Sequence, residues 1–179
     1  TNPDQLSFHV NLTDATVLNE LAGIPLTLLS PVKMDGYLIH DDLHLNASAP
    51  RIDYAGNALR GVVVDLGREG QSLRLTADGS TLNADGSSLR LGSVAHLADD
   101  AVAFELNFAN APDETLKGLF SGKASFDKDA SGRLLTMLRG NRSTTVLNGA
   151  NWVVEPFDAL LSADHYSIAG FKLSSATTS

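Results

Sequence analysis

The feature that most limits what this chain can fold into is a two-residue apolar period. Leu6, Phe8, Val10 and Leu12 alternate with Ser7, His9 and Asn11, and successive side chains of an extended strand point to opposite faces. One face of such a strand is dry and the other wet. The same pattern returns at Leu43, Leu45, Ala47 and Ala49, at Leu73, Leu75 and Ala77, at Leu89 and Leu91, and at Val102, Phe104, Leu106 and Phe108. Between these runs stand His40-Asp41-Asp42, Gly67-Arg68-Glu69-Gly70, Asp78-Gly79-Ser80, Asp85-Gly86-Ser87 and Asp127-Lys128-Asp129-Ala130-Ser131-Gly132. Gly, Asp and Asn accept the positive φ of tight reversals, so each cluster reads as a turn. The expected fold is all-β: one continuous, turn-rich, mostly antiparallel sheet, with one or two short helices. Alternation by itself does not separate an open groove from a face closed on itself.

Two stretches leave the period. Thr13 or Asp14 is placed to cap a helix carrying Val17, Leu18 and Leu21, with Gly23 as its stop and Pro25 beyond. A second helix is expected from Pro112 through Asp113, Glu114, Leu116, Leu119 and Phe120, with Asn110 as cap and the acidic residues in its first turn. Ser72-Leu73-Arg74-Leu75 recurs as Ser88-Leu89-Arg90-Leu91, which reads as two consecutive β-arms. No Pro/Ser-rich linker divides the chain, so residues 1–179 read as a single β-rich segment.

At 43% apolar, the 179 residues predict a sizeable core, with most Phe side chains in its interior. Thirteen Lys and Arg against 21 Asp and Glu leave a formal charge of −8, which argues against nucleic acid or an anionic membrane surface as partner. Cysteine is absent, which removes disulfides, thiolate nucleophiles and Cys-ligated metals together. Aromatics are 6% of the chain with one Trp, too few for the stacking platforms of many glycan and single-strand binders. The first residue is Thr, and no apolar run approaches the roughly 18 residues of a membrane span, so the chain is expected to be an excised or processed piece.

Chemistry-bearing motifs are incomplete. His40, Asp42 and His44 would share one face of a strand and offer two imidazoles and a carboxylate to a metal. The reversal needed at Asp41-Asp42 favours an exposed hairpin instead, with His44 on the wet face. Asp127 to Gly132 matches the first half of an EF-hand loop, but its twelfth position is Leu138 where a bidentate Glu is needed. Gly118-Leu119-Phe120-Ser121-Gly122 is not a nucleophile elbow, since its Ser is one place late. The carboxylate pairs Asp99-Asp100 and Asp113-Glu114 read as solvated turn and helix start. No catalytic residue, no metal site and no cofactor is expected, and the chain is not expected to be an enzyme.

Near the C-terminal end the residues carry a resemblance. Asn148-Gly149-Ala150-Asn151-Trp152-Val153-Val154-Glu155-Pro156, followed by Ser167-Ile168-Ala169-Gly170-Phe171-Lys172-Leu173-Ser174, is similar to a strand pair of the TamB-like translocation and assembly module family, within the wider AsmA-like bridge proteins. Met34 to Leu38, Leu43 to Gly56 and Leu18 to Pro25 resemble the repeated arms of the same family. The resemblance implies an internal segment of a longer envelope protein, anchored in the inner membrane by a helix outside this chain and reaching across the periplasm. It implies a long β-sheet folded into a half-pipe, the β-taco, whose apolar inner face serves phospholipid transport. It also implies outer-membrane protein assembly with an Omp85-type barrel bound through parts outside this segment. On that basis Leu43, Leu45, Leu73, Leu75, Leu89, Leu91, Val102, Phe104, Leu106 and Phe108 are expected to share one face and line a groove for phospholipid acyl chains. An all-β sandwich that binds glycan or protein at a cell surface is the alternative, and an enzyme using His40, Asp42 and His44 comes third.

Overall fold

The computed structural model describes residues 5–16, 19, 26–40, 42–54, 56–82, 86–98, 101–128, 132, 134–162 and 165–175. Fifteen strands lie among them: β1 Gln5–Leu12, β2 Leu26–Leu28, β3 Val32–Ile39, β4 Asp42–Tyr54, β5 Asn57–Glu69, β6 Ser72–Leu82, β7 Ser88–Ala98, β8 Ala101–Ala111, β9 Leu116–Lys128, β10 Leu134–Gly140, β11 Ser143–Leu147, β12 Ala150–Val154, β13 Phe157–Leu161, β14 Tyr166–Ala169 and β15 Leu173–Ser175. The expected all-β class is what forms: one large antiparallel sheet that is not closed. Its path runs β1-β3-β4-β5-β6-β7-β8-β9-β10-β13-β14, with β2 on β4, β11 on β9, β12 on β11 and β15 on β12. The chain divides into two compact units, Thr1–Gly92 and Ser93–Ser179, with the boundary inside β7.

Connections are short and their residues explain them. Gly56, Gly70 and His40 take φ of +82°, +63° and +54° between successive strands, and Asn148-Gly149, at +52° and +77°, closes the β11–β12 hairpin. Two consecutive positive φ values are what a two-residue reversal matched to strand twist requires. The paired arms opening at Ser72 and Ser88 are the starts of β6 and β7. Asp78-Gly79-Ser80 is not a turn but the interior of β6. Opposite it, β5 bulges between Arg60 and Val63 with Gly61 at φ +57°, and Gly79 leaves room for the Val62 side chain.

Of the first helix, Asp14 does act as the cap. Its Oδ1 accepts from the Thr16 N–H at 2.7 Å, and hydrogen bonds from the Thr16 side chain and then its backbone hold the Asp14 carboxyl below the usual carboxylate range. The Asn19 N–H closes one turn on the Ala15 carbonyl at 2.8 Å. Val17, Leu18, Leu21, Gly23 and Pro25 lie outside the described residues. The second helix does not form: Pro112 to Thr115 make a turn and Leu116 begins β9. Leu116, Leu119 and Phe120 fit a helical spacing, but Gly118 and Gly122 disfavour a helix interior, and both are needed beneath Phe rings of β8. Asn110 serves the turn instead, accepting from the Leu116 N–H at 2.7 Å and donating to Thr115 Oγ1 at 3.1 Å.

The expected core does not form among the described residues. Among the described residues the buried positions are Ala15, Ala49, Ala101, Val154, Thr145 and the glycines Gly92, Gly122 and Gly140, and the Phe side chains are half-buried or exposed rather than interior. The described strands all belong to one hydrogen-bonded sheet, and dry-face side chains such as Leu6, Leu106 and Ile168 stay exposed, so the apolar face of each unit is left partly open.

Candidate functional site

Directly opposed residues of neighbouring strands share a face, so the registers alone define an apolar face in each unit. In the first unit Phe8, Gly36, Leu45, Leu66 and Leu75 follow one another across β1, β3, β4, β5 and β6. Val10, Met34, Ala47, Val64 and Ala77 form the next row, and Leu6, Leu38 and Leu43 the row on the other side. Four of the ten expected groove residues, Leu43, Leu45, Leu73 and Leu75, therefore lie together, although Arg68 stands opposite Leu73 on the same face. Leu89 and Leu91 occupy alternate positions of β7, with Leu91 40% exposed.

The second unit repeats the arrangement with larger side chains. Val102, Phe104, Leu106 and Phe108 of β8 oppose Ala124, Gly122, Phe120 and Gly118 of β9. From there the central row continues as Gly140 and Phe157. Phe104 and Phe157 thus lie on either side of two adjacent buried glycines. A Cβ on Gly140 would sit 2.3 Å from the Phe157 ring, one on Gly122 2.9 Å from the Phe104 ring, and one on Gly118 2.7 Å from that of Phe108. The rings lie down over the glycines, which gives the face low relief. Phe108 and Phe120 stack at 5.7 Å between centroids, while Leu106 beside them remains 46% exposed.

Each face stays apolar past a line where the strands slip by one residue. In the second unit the slip is carried by Asn141-Arg142, Glu155-Pro156 and Phe171-Lys172, between same-face residues Gly140 and Ser143, Phe157 and Val154, and Gly170 and Leu173. Strand β9 runs through it unbroken, bonded by the Asn141 N–H to the Ser121 carbonyl at 2.9 Å and by Asn141 Nδ2 to Ser121 Oγ at 3.0 Å. In the first unit the slip falls at Leu29-Ser30-Pro31, Pro50-Arg51 and Arg60-Gly61. There Ser30 Oγ donates to the Arg51 carbonyl and accepts from its N–H, both at 2.9 Å. Without the slip, alternation would send Ile52, Leu59, Thr145 and Trp152 to the wet face.

Of the candidate metal residues, Asp42 and His44 come together and His40 does not complete a set with them. His40 occupies the β3–β4 turn, Asp41 lies outside the described residues, and His44 is on the wet face, with Nε2 3.3 Å from Asp42 Oδ2. Among the described residues no three His, Asp or Glu side chains converge. The half EF-hand segment begins inside β9, whose last two residues are Asp127 and Lys128; Asp129, Ala130 and Ser131 lie outside the described residues, and Leu138 is inside β10. Among the described residues no helix is long and apolar enough to cross a membrane. No family model matches this sequence, and neither a curated protein nor a solved structure does.

Proposed function

We propose that this chain is a non-catalytic, periplasm-spanning segment of a TamB-like bridge whose apolar sheet face accepts phospholipid acyl chains. The observation that carries the reading is an apolar face in each unit that stays partly open, with large side chains such as Leu6 and Leu106 exposed. Each CH₂ moved from water onto such a lining is favourable by about 0.8 kcal/mol, and an acyl chain asks for no polar partner. The low relief produced by Phe over Gly suits a ligand that must slide rather than lock. The resemblance at Trp152 to Pro156 and Ile168 to Leu173 supports the same assignment, since those residues flank the slip that keeps the face continuous. The parent's inner-membrane anchor and its contact with an Omp85-type barrel, through which it supports outer-membrane protein assembly, are assigned to parts outside this segment.

Charge placement tests it. Leu106→Glu puts a carboxylate among Phe104, Phe108 and Phe120, solvated in the free chain but desolvated by any acyl chain that settles on it, which opposes binding, whereas Ser72→Glu adds one at a strand start. With circular dichroism and thermal melts confirming that both variants fold, a photoreactive residue at Phe104 in the full-length parent should crosslink phospholipid in Ser72→Glu and lose it in Leu106→Glu. Equal crosslinking in both, with an intact outer membrane, would transfer the role to a scaffold.

A further inference from the structure

The wet face of the first unit carries a cleft of about 950 Å³ that an acyl-binding face does not use. Its floor is a row in which Tyr37 stacks on His44, centroids 4.6 Å apart and planes 22° from parallel, and the imidazole leans over Gly67, where a Cβ would meet Nδ1 at 2.9 Å. Arg74 stands opposite Gly67. The adjacent row runs His9, Asp35, Asn46, Asp65 and Thr76 across five strands.

These polar groups are held by one another. Asp35 is hydrogen-bonded to His9, Asn46 Nδ2 donates to Asp65 Oδ1 at 2.6 Å, and Arg74 lies 3.5 Å from Glu69. Pairing narrows the conformations these exposed side chains sample before a ligand arrives. It leaves each of Asp35 and Asp65 a second carboxylate oxygen as acceptor, Asn46 its carbonyl oxygen, and Arg74 further N–H donors. Charges of both signs compensate locally, so the cleft offers neither the cationic cradle a phosphate needs nor a convergent acidic set for a metal. An array of fixed acceptors and donors along one row, with stacked rings along the next, is complementary to a ligand with many hydroxyls on its rim and C–H groups on its faces.

We infer that this cleft binds an uncharged saccharide. The site is independent of the acyl-binding face, and its test separates the two. Titration calorimetry with chitotetraose and with cellotetraose, and inorganic phosphate as the anion control, should give saturable binding of at least one tetrasaccharide and none of phosphate. Asp65→Ala and Arg74→Ala, folded by circular dichroism, should each weaken that binding about tenfold while acyl-chain binding stays as in the parent sequence. Leu106→Glu should do the reverse. The inference is overturned if neither tetrasaccharide saturates the folded protein, if phosphate binds in its place, or if both cleft variants bind sugar as the parent sequence does.

Discussion

Four phenylalanines of this chain lie across the sheet from glycines: Phe8 from Gly36, Phe104 from Gly122, Phe108 from Gly118 and Phe157 from Gly140. Each ring occupies the space that a Cβ would claim, so the pair behaves as one packing unit split over two strands. At Gly140 the three closest atoms to a Cβ all belong to Phe157, which makes that pair the cleanest to test. Gly140→Ala should cost about 1–3 kcal/mol by overpacking, but much less in a Phe157→Ala background. A double-mutant cycle read by urea denaturation should give a coupling of roughly 1 kcal/mol; a coupling of zero would mean the ring does not rest on the glycine. Nothing local in the sequence announces these pairs. Phe8 and Gly36 are far apart along the chain, and only the register joins them. For the same reason Tyr37, Asn46, Asp65 and Arg74 draw no attention as a sequence, because each is an ordinary wet-face residue of its own strand.

At the scale of elements, alternation marks strands wherever its phase holds, and the arms at residues 6, 43, 73, 89 and 102 form where the pattern begins. Less legible are the places where the phase slips. Ala49 to Ile52 and Val154 to Phe157 each step by three rather than two, and a Pro stands inside each step. Those steps are the bulge lines that keep the apolar face dry. Strand β9 escapes a purely hydrophobic pattern because Gly118, Gly122 and Ala124 stand at its dry positions, the two glycines beneath Phe rings of β8. The turn before β9 depends on Asn110 rather than on a helix. Asn110→Ala should leave the Leu116 N–H without its partner and lower stability by about 1–2 kcal/mol, seen as a drop in the urea midpoint at unchanged m-value. A larger loss of far-UV helical signal than of stability would restore the helix reading. Asn148-Gly149 is a hairpin signal in plain view, and it closes β11 onto β12 as such a dipeptide should.

For the whole molecule, composition misleads in one direction only. The 43% apolar content is real, but alternation divides it into a single dry face per unit rather than into two faces that meet. A chain built this way keeps its strands through ladder hydrogen bonds and same-face neighbours, and leaves Leu6 65% and Ile168 59% exposed. Exposed apolar surface on this scale marks a site of interaction, and acyl chains are its proposed occupant. Native mass spectrometry of the chain, purified without detergent and exchanged against phospholipid vesicles, tests that assignment most directly. Adducts at the mass of phospholipid are expected on the parent sequence and on Asp65→Ala, and are expected to disappear in folded Leu106→Glu. A folded parent chain that emerges lipid-free, or a Leu106→Glu chain that carries the same adducts, would contradict it.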